Sequence, residues 1–143
     1  MTNLNEMKVL ITGATGYLGK QITLGIANLG AEVLVNGRNK NYIDKLVKKL
    51  NQKKLKAQPA YFDLKNNHEI NNYFKNFNGT LNCIVSNAYE GKLGTIKTLK
   101  SSDYLSSLEI SVIASHNLIN AALSNLKKSV KKNGDASFIN ISS

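Results

Sequence analysis

Short apolar runs alternate along the chain with longer stretches in which apolar residues recur every three or four positions. Lys8-Val9-Leu10-Ile11-Thr12 is a compact run ending at a glycine turn and reads as a buried strand. Leu18, Ile22, Ile26 and Leu29 follow at helical spacing, with Gly30 placed to end that helix. Glu32–Asn36 reads as a second strand, and Ile43, Leu46, Val47 and Leu50 as the inner face of a second helix. The third strand is expected at Ala60-Tyr61-Phe62, just after the single proline, Pro59, and the third helix on Ile70, Tyr73, Phe74 and Phe77.

Leu81 to Val85 is expected to be strand four. A polar segment with Gly91 and Gly94 precedes the longest helical pattern, from about Ser102 to Lys128, with Leu105, Leu108, Val112, Ile119, Ala122, Leu123 and Leu126 as its apolar face. Asn133-Gly134-Asp135 makes a turn into a fifth strand, Ala136–Ile141. Strands alternating with helices of this length imply right-handed crossovers and a parallel sheet. The expectation is one α/β domain over residues 1–143: a doubly wound sheet of about five strands in three α/β/α layers.

Composition narrows the setting. At 143 residues there is one core and no room for two domains. No apolar run approaches the ~20 residues of a bilayer-spanning helix, and no apolar stretch precedes the first strand, so a cytoplasmic chain without membrane attachment is expected. Cys83 is the single cysteine, which excludes an intramolecular disulfide and any multi-cysteine metal site. His68 and His116 lack acidic partners at ligand spacing, so no metal is expected.

The net charge is +10, from 19 basic and 9 acidic residues, and Arg38 is the only arginine. Nucleic-acid binders mix arginine and aromatic residues into their basic patches for forked and stacking contacts. The lysines here fall on the polar faces of expected helices, which argues against nucleic acid as a partner while leaving a field that attracts anions.

The chemistry concentrates at Thr12-Gly13-Ala14-Thr15-Gly16-Tyr17-Leu18-Gly19, between a strand and a helix. Gly13 permits a tight turn, Gly16 admits close approach of a pyrophosphate, and Gly19 lets the helix pack on the sheet. The N-terminus of the helix then offers free N–H groups and positive potential to phosphate oxygens. In a strand–turn–helix context this spacing is a dinucleotide-binding signal, with Thr15, Tyr17 and Leu18 in the same cradle.

These residues resemble the short-chain dehydrogenase/reductase family, a Rossmann-fold group of NAD(P)-dependent oxidoreductases. Three further motifs extend the likeness through the chain. Asp63-Leu64 matches the family's adenine-contacting Asp and its successor. Ser86-Asn87-Ala88-Tyr89 is similar to Asn-Asn-Ala-Gly, with Ser86 for the first Asn and Tyr89 for the Gly, and brings Asn87 and Ala88 to the cofactor site. Asn140-Ile141-Ser142-Ser143 is similar to Asn-Ile-Ser-Ser. The resemblance implies hydride transfer between nicotinamide and a small carbonyl or alcohol substrate, with homo-oligomers a further possibility. The alternative is a non-catalytic NADP-binding module with a lysine-rich interaction surface.

The end of strand two bears on which dinucleotide is bound. An NAD site wants a carboxylate there for the ribose 2′-OH. This chain has Asn36-Gly37-Arg38-Asn39-Lys40, with Gly37 at the acid's position, Arg38 and Asn39 next to it and Lys40 as a second charge. A charge-assisted bond of roughly 1.5–3 kcal/mol from Arg38 to a 2′-phosphate would favour NADP(H) over NAD(H) about ten- to a hundredfold.

By the same resemblance Ser143 takes the catalytic serine position, orienting the substrate oxygen. Ser111 stands where the family has an Asn on the long helix. The family's Tyr-x-x-x-Lys pair would follow strand five, after Ser143, so the chain reads as the cofactor-binding part of an enzyme, inactive alone. Its fifth strand would be left as an unpaired sheet edge, with aggregation or poor stability of the isolated chain the expected result. Tyr61 and Lys65 have the pair's spacing but sit at a strand end, and the match is read as coincidence. Tyr89 either lines the nicotinamide pocket or closes the strand end, and Cys83 is read as a small buried apolar residue.

Overall fold

The computed structural model describes residues 3–142. In chain order the elements are β1 (Lys8–Ile11), α1 (Tyr17–Asn28), β2 (Glu32–Asn36), α2 (Lys40–Gln52), β3 (Ala57–Ala60), α3 (Asn67–Asn76), β4 (Cys83–Ser86), α4 (Ser101–Leu108), a π turn at Glu109–Ile113, α5 (Ala114–Asn133) and β5 (Ser137–Asn140). The five strands form one parallel sheet in the order β3-β2-β1-β4-β5, the doubly wound arrangement expected from the alternation.

Strand pleating sorts the apolar side chains into two cores. Val9, Ile11, Val33, Val35, Cys83 and Val85 face α1 and α2, where Ile43 and Leu50 meet them. Leu10, Leu34 and Ile84 face the other way, onto Ile70 and Phe74 of α3 and Leu118 and Ala122 of α5. Burial on both faces is why the central strands read as continuous apolar runs. Cys83 is a free thiol buried in the first core, and its burial pushes its pKa up.

Three expectations need correction. Strand three lies at Ala57–Ala60, with Pro59 inside it and Tyr61-Phe62 beyond its end. As an edge strand it pairs with β2 alone, so a residue without an N–H is tolerated there. In α1 the residues buried against the sheet are Gly19, Thr23 and Ala27, whereas Leu18 and Leu29 are exposed. The long helical pattern is interrupted by the π turn, whose extra residue shifts the phase of everything after it. Leu105 and Leu108, on α4 ahead of the turn, are exposed, as are Val112 within it and Leu123 beyond it, and Ile110, Ala114, Ser115, Leu118, Ala122, Asn125 and Ser129 are buried.

Buried polar residues tie the elements together. Asn82, just before β4, accepts from the Lys8 N–H at 2.8 Å and donates to Ser129 Oγ at 2.8 Å, and Ser129 donates to the Asp135 carbonyl. Asn125 donates to the carbonyls of Phe77 and Gly79, fastening α5 to the loop after α3. Every buried side-chain nitrogen and oxygen among the described residues has a partner. β5 forms the other edge of the sheet, with Ser137, Ile139 and Asn140 exposed.

Replacing Asn82 by Leu should therefore remove about 1–3 kcal/mol of stability, because it leaves the Lys8 N–H without a partner and takes away the donor to Ser129 Oγ. Asn41→Ala, on the exposed first turn of α2, should stay within about 0.5 kcal/mol. Urea unfolding of the two variants beside the parent protein checks both.

Candidate functional site

In a parallel sheet of this order, the ends of β1 and β4 are neighbours whose connections depart to opposite faces, which opens a crevice between them. The turn after β1 forms one wall. Gly13 has φ +61°, and a Cβ there would come within 2.8 Å of the Ala88 Cα, so both conformation and close approach require glycine. A Cβ on Gly19 would come within 2.1 Å of the Gly13 carbonyl oxygen, which leaves no room for any side chain where α1 crosses the turn. Gly16 is the N-cap of α1, and among the described residues no side chain caps the helix. The N–H groups of its first turn, which have no acceptors within the helix, point past a position without a side chain. Tyr17, 92% exposed, and the half-exposed Leu18 begin the helix at the mouth of the crevice.

The opposite wall is the Asn87-Ala88 segment. The fully buried Thr12 Oγ1 accepts from the Asn87 N–H at 3.0 Å and the Ala88 N–H at 3.1 Å. Asn87 Nδ2 returns a bond to the Thr12 carbonyl at 3.1 Å and reaches the Gly13 carbonyl at 3.4 Å. Thr12 was not among the expected site residues, although a hydroxyl closing an apolar strand run was the available signal. Asn36 also escaped notice. It is buried at the end of β2, donates to the carbonyls of Ala60 and Phe62 at 3.0 Å each, and its own carbonyl accepts from the Ala14 N–H at 2.9 Å. Those bonds lock the β1 turn to the exits of β2 and β3.

Beyond Asn36 the loop lies against Thr15: a Cβ on Gly37 would come within 2.7 Å of Thr15 Oγ1. An open groove of about 650 Å³ begins here, bounded by Gly37, Arg38, Lys40, Tyr61, Phe62 and Asp63 before continuing along α3. Arg38 is 82% exposed, its Nη1 3.7 Å from Glu90 Oε2. Asn39 is the N-cap of α2, its Oδ1 accepting from the Tyr42 N–H. Asp63 accepts from the Lys65 N–H and donates its own N–H to Glu69, and the partly buried Leu64 packs into the second core. The structure thus brings Gly13, Thr15, Gly16, Tyr17, Leu18, Gly19, Arg38, Asn39, Asp63, Leu64, Asn87 and Ala88 to one end of the sheet, beyond the C-terminal ends of its strands, and Ser143 lies outside the described residues.

Glu90 was a further omission. Its Oε1 accepts from Lys65 Nζ at 2.7 Å and Ser106 Oγ at 2.8 Å. The Lys65 hydrogen bond, then that of Ser106, holds the Glu90 carboxyl below the usual carboxylate range, and Glu90 in turn raises the Lys65 pKa. Lys65 is therefore committed away from Tyr61, whose hydroxyl donates to Asp44. That bond raises the tyrosine's pKa, so the two residues do not work as a proton-transfer pair. Ser86 and Ser115 share a buried hydrogen bond at 3.0 Å, and Ser115 Oγ donates to the Ser111 carbonyl. Ser111 Oγ donates to the Ser107 carbonyl, inside the helix. Among the described residues no three His, Cys, Asp or Glu side chains form a cluster fit for a metal ion, and no helix is long and apolar enough to cross a membrane.

Residues 7–143 match a family model described as short chain dehydrogenase. A tropinone reductase homolog from Datura stramonium is 30% identical over 141 residues, covering 96% of this chain and 51% of that protein. A peroxisomal 2,4-dienoyl-CoA reductase from Arabidopsis thaliana is 28% identical over 141 residues, covering 93% and 47%. The chain thus spans about half the length of these relatives. A gluconate 5-dehydrogenase from Burkholderia cenocepacia J2315, solved with NADP and tartrate, superposes with a TM-score of 0.86 at 21% identity over 99% of this chain and 55% of that one. A 7α-hydroxysteroid dehydrogenase solved with NADH and 7-oxo glycochenodeoxycholic acid superposes with a TM-score of 0.80 at 22% identity, over 90% and 51%.

The two glycines of α1 make opposite forecasts. Gly19→Ala drives a methyl into a backbone oxygen and should destabilise the protein by more than about 2 kcal/mol. Gly25→Ala lies in the exposed middle of the helix with nothing within 4 Å, and should stabilise by about 0.5–1 kcal/mol. Thermal melts should move in opposite directions.

Proposed function

This chain belongs to the short chain dehydrogenase family, and from that premise we propose that it is the dinucleotide-binding part of an NADP(H)-preferring oxidoreductase that interconverts a carbonyl and an alcohol. The observation that carries the cofactor choice is the loop after β2. No carboxylate stands there, Gly37 is packed against Thr15, and Arg38 extends into the mouth of the groove. The Burkholderia neighbour with NADP supports the same choice, against the 7α-hydroxysteroid dehydrogenase with NADH.

The turn fits a dinucleotide: a side chain is excluded at Gly13 and Gly19, and the uncapped start of α1 accepts an anion. In this reading Gly13 to Gly19, with Thr15, Tyr17 and Leu18, hold the pyrophosphate. Arg38 forks onto the 2′-phosphate and Asn39 borders it. Asp63 and Leu64 take the adenine, and Asn87 and Ala88 support the ribose on the far wall. When bound, the nicotinamide supplies hydride exchange at C4. Ser143 orients the substrate oxygen, and a Tyr-x-x-x-Lys pair elsewhere in the whole protein moves the proton. A cytoplasmic location and a homo-oligomeric whole protein belong to the same reading.

The other reading, a non-catalytic NADP-binding module, draws on Lys127, Lys128 and Lys131 beside Leu123 and Ser124 in a shallow hollow on α5. NADPH binding without turnover of any carbonyl compound by the whole protein would favour it.

Arg38→Ala should lower NADPH affinity about tenfold or more while NADH affinity changes less than about twofold. Calorimetric titration with each dinucleotide reads the difference, and an unchanged preference refutes the assignment.

A further inference from the structure

Glu90 gathers side chains from three connections at the same end of the sheet. Its Oε1 is held by Lys65 Nζ at 2.7 Å, from the segment after β3, and by Ser106 Oγ at 2.8 Å, from α4. Lys65 and Ser106 also meet each other at 3.2 Å, so that side of the carboxylate is closed into a triangle. The second oxygen, Oε2, is left to face Arg38 Nη1 at 3.7 Å. The two ends of this ion pair differ in exposure and anchoring: the Glu90 side chain is 33% exposed and bonded to Lys65 and Ser106, whereas that of Arg38 is 82% exposed.

Among the described residues Glu90 is the only acidic group paired with Arg38. We propose that Glu90 is a specificity-determining residue, an anchored carboxylate that competes with the dinucleotide 2′-phosphate for the Arg38 guanidinium and so holds the NADPH preference below what Arg38 alone would confer. The inference rests on the assignment of Arg38 to the 2′-phosphate made above.

Two anions compete here for one cation. A 2′-phosphate that receives the Arg38 fork must draw the guanidinium off Glu90, and the attraction given up there is subtracted from what the phosphate gains. A 2′-hydroxyl brings no such charge and has no need of the guanidinium. Glu90 therefore weakens the binding of one dinucleotide and is nearly neutral toward the other. Lys65, on the other oxygen, offsets part of the Glu90 charge, which keeps the expected effect small. Glu90 is ionised at neutral pH like any ordinary carboxylate, and the Lys65 hydrogen bond lowers its pKa further.

The test is Glu90→Gln, which retains an oxygen for Lys65 and Ser106 and puts an uncharged NH2 in place of the oxygen that faces Arg38. Calorimetric titration of the whole chain should show NADPH affinity rising about three- to fivefold, with NADH affinity within about twofold of the parent. Glu90→Asp, which keeps the charge, should stay near the parent value. In an Arg38→Ala background the gain from Glu90→Gln should vanish.

An equal gain for both dinucleotides, or a gain that persists without Arg38, overturns the proposal. So does an unchanged NADPH affinity in Glu90→Gln while Arg38→Ala still abolishes the preference, a result that leaves the Arg38 assignment standing. If Arg38→Ala itself leaves the preference intact, the cofactor reading fails first and this inference goes with it.

Discussion

The closeness of backbone to backbone at the Gly13 turn is the constraint on which the site depends. The Gly13 carbonyl occupies the space a side chain on Gly19 would need, and the Ala88 backbone occupies the space one on Gly13 would need. A turn packed this tightly fixes where α1 starts, hence where its unpaired N–H groups point. It also fixes the distance between the two walls of the crevice. The Thr12 hydroxyl then serves as a pin between them, because one buried oxygen satisfies two N–H groups of the segment after β4. A site assembled in this way draws its geometry from the sheet and not from flexible loops.

The same logic extends outward through asparagine. Asn36 links the exits of β2 and β3 to the turn, and Asn82 binds the start of β1 to α5 through Ser129. Both are buried, and both satisfy backbone or side-chain groups that would otherwise sit without water or partner. An amide suits these places because it donates and accepts from one planar group. Lys and Asn are abundant throughout the chain, so abundance hides which of the asparagines are structural.

That concealment explains the pattern of what could be read in advance. Alternation and the glycine turn survive in the sequence because they depend on near neighbours, and they sufficed for the sheet, its two covered faces and the crevice. Residues whose role is settled by distant partners left no such trace: Thr12 meets Asn87, Asn82 meets Ser129, and Glu90 meets Lys65. Local signals misled where context overrode them. Pro59 looked like a boundary, yet an edge strand can hold it. Leu105 and Leu108 looked like core, yet α4 buries none of its residues, and the inward face begins at Ile110 in the π turn and runs on through Ala114 and Leu118. Small and polar residues fill the inner stripe of α5, where Ser115, Asn125 and Ser129 are buried, and a count of apolar positions passes over them.

Charge shows the same separation between what is general and what is local. A surplus of +10 carried almost entirely by exposed lysines draws any dinucleotide toward the protein, with or without a 2′-phosphate, and salt screens that attraction. Discrimination requires a group of fixed geometry, since a diffuse field responds to total charge and not to where on the ribose it sits. Arg38 has the planar fork for that task, and it lies where the groove begins. Its freedom is bounded by Glu90, which is itself bounded by Lys65 and Ser106. On the proposed reading, selectivity at this end of the sheet belongs to a four-residue network drawn from the connections after β2, β3 and β4 and from α4, and the single arginine acts only within the balance those neighbours set.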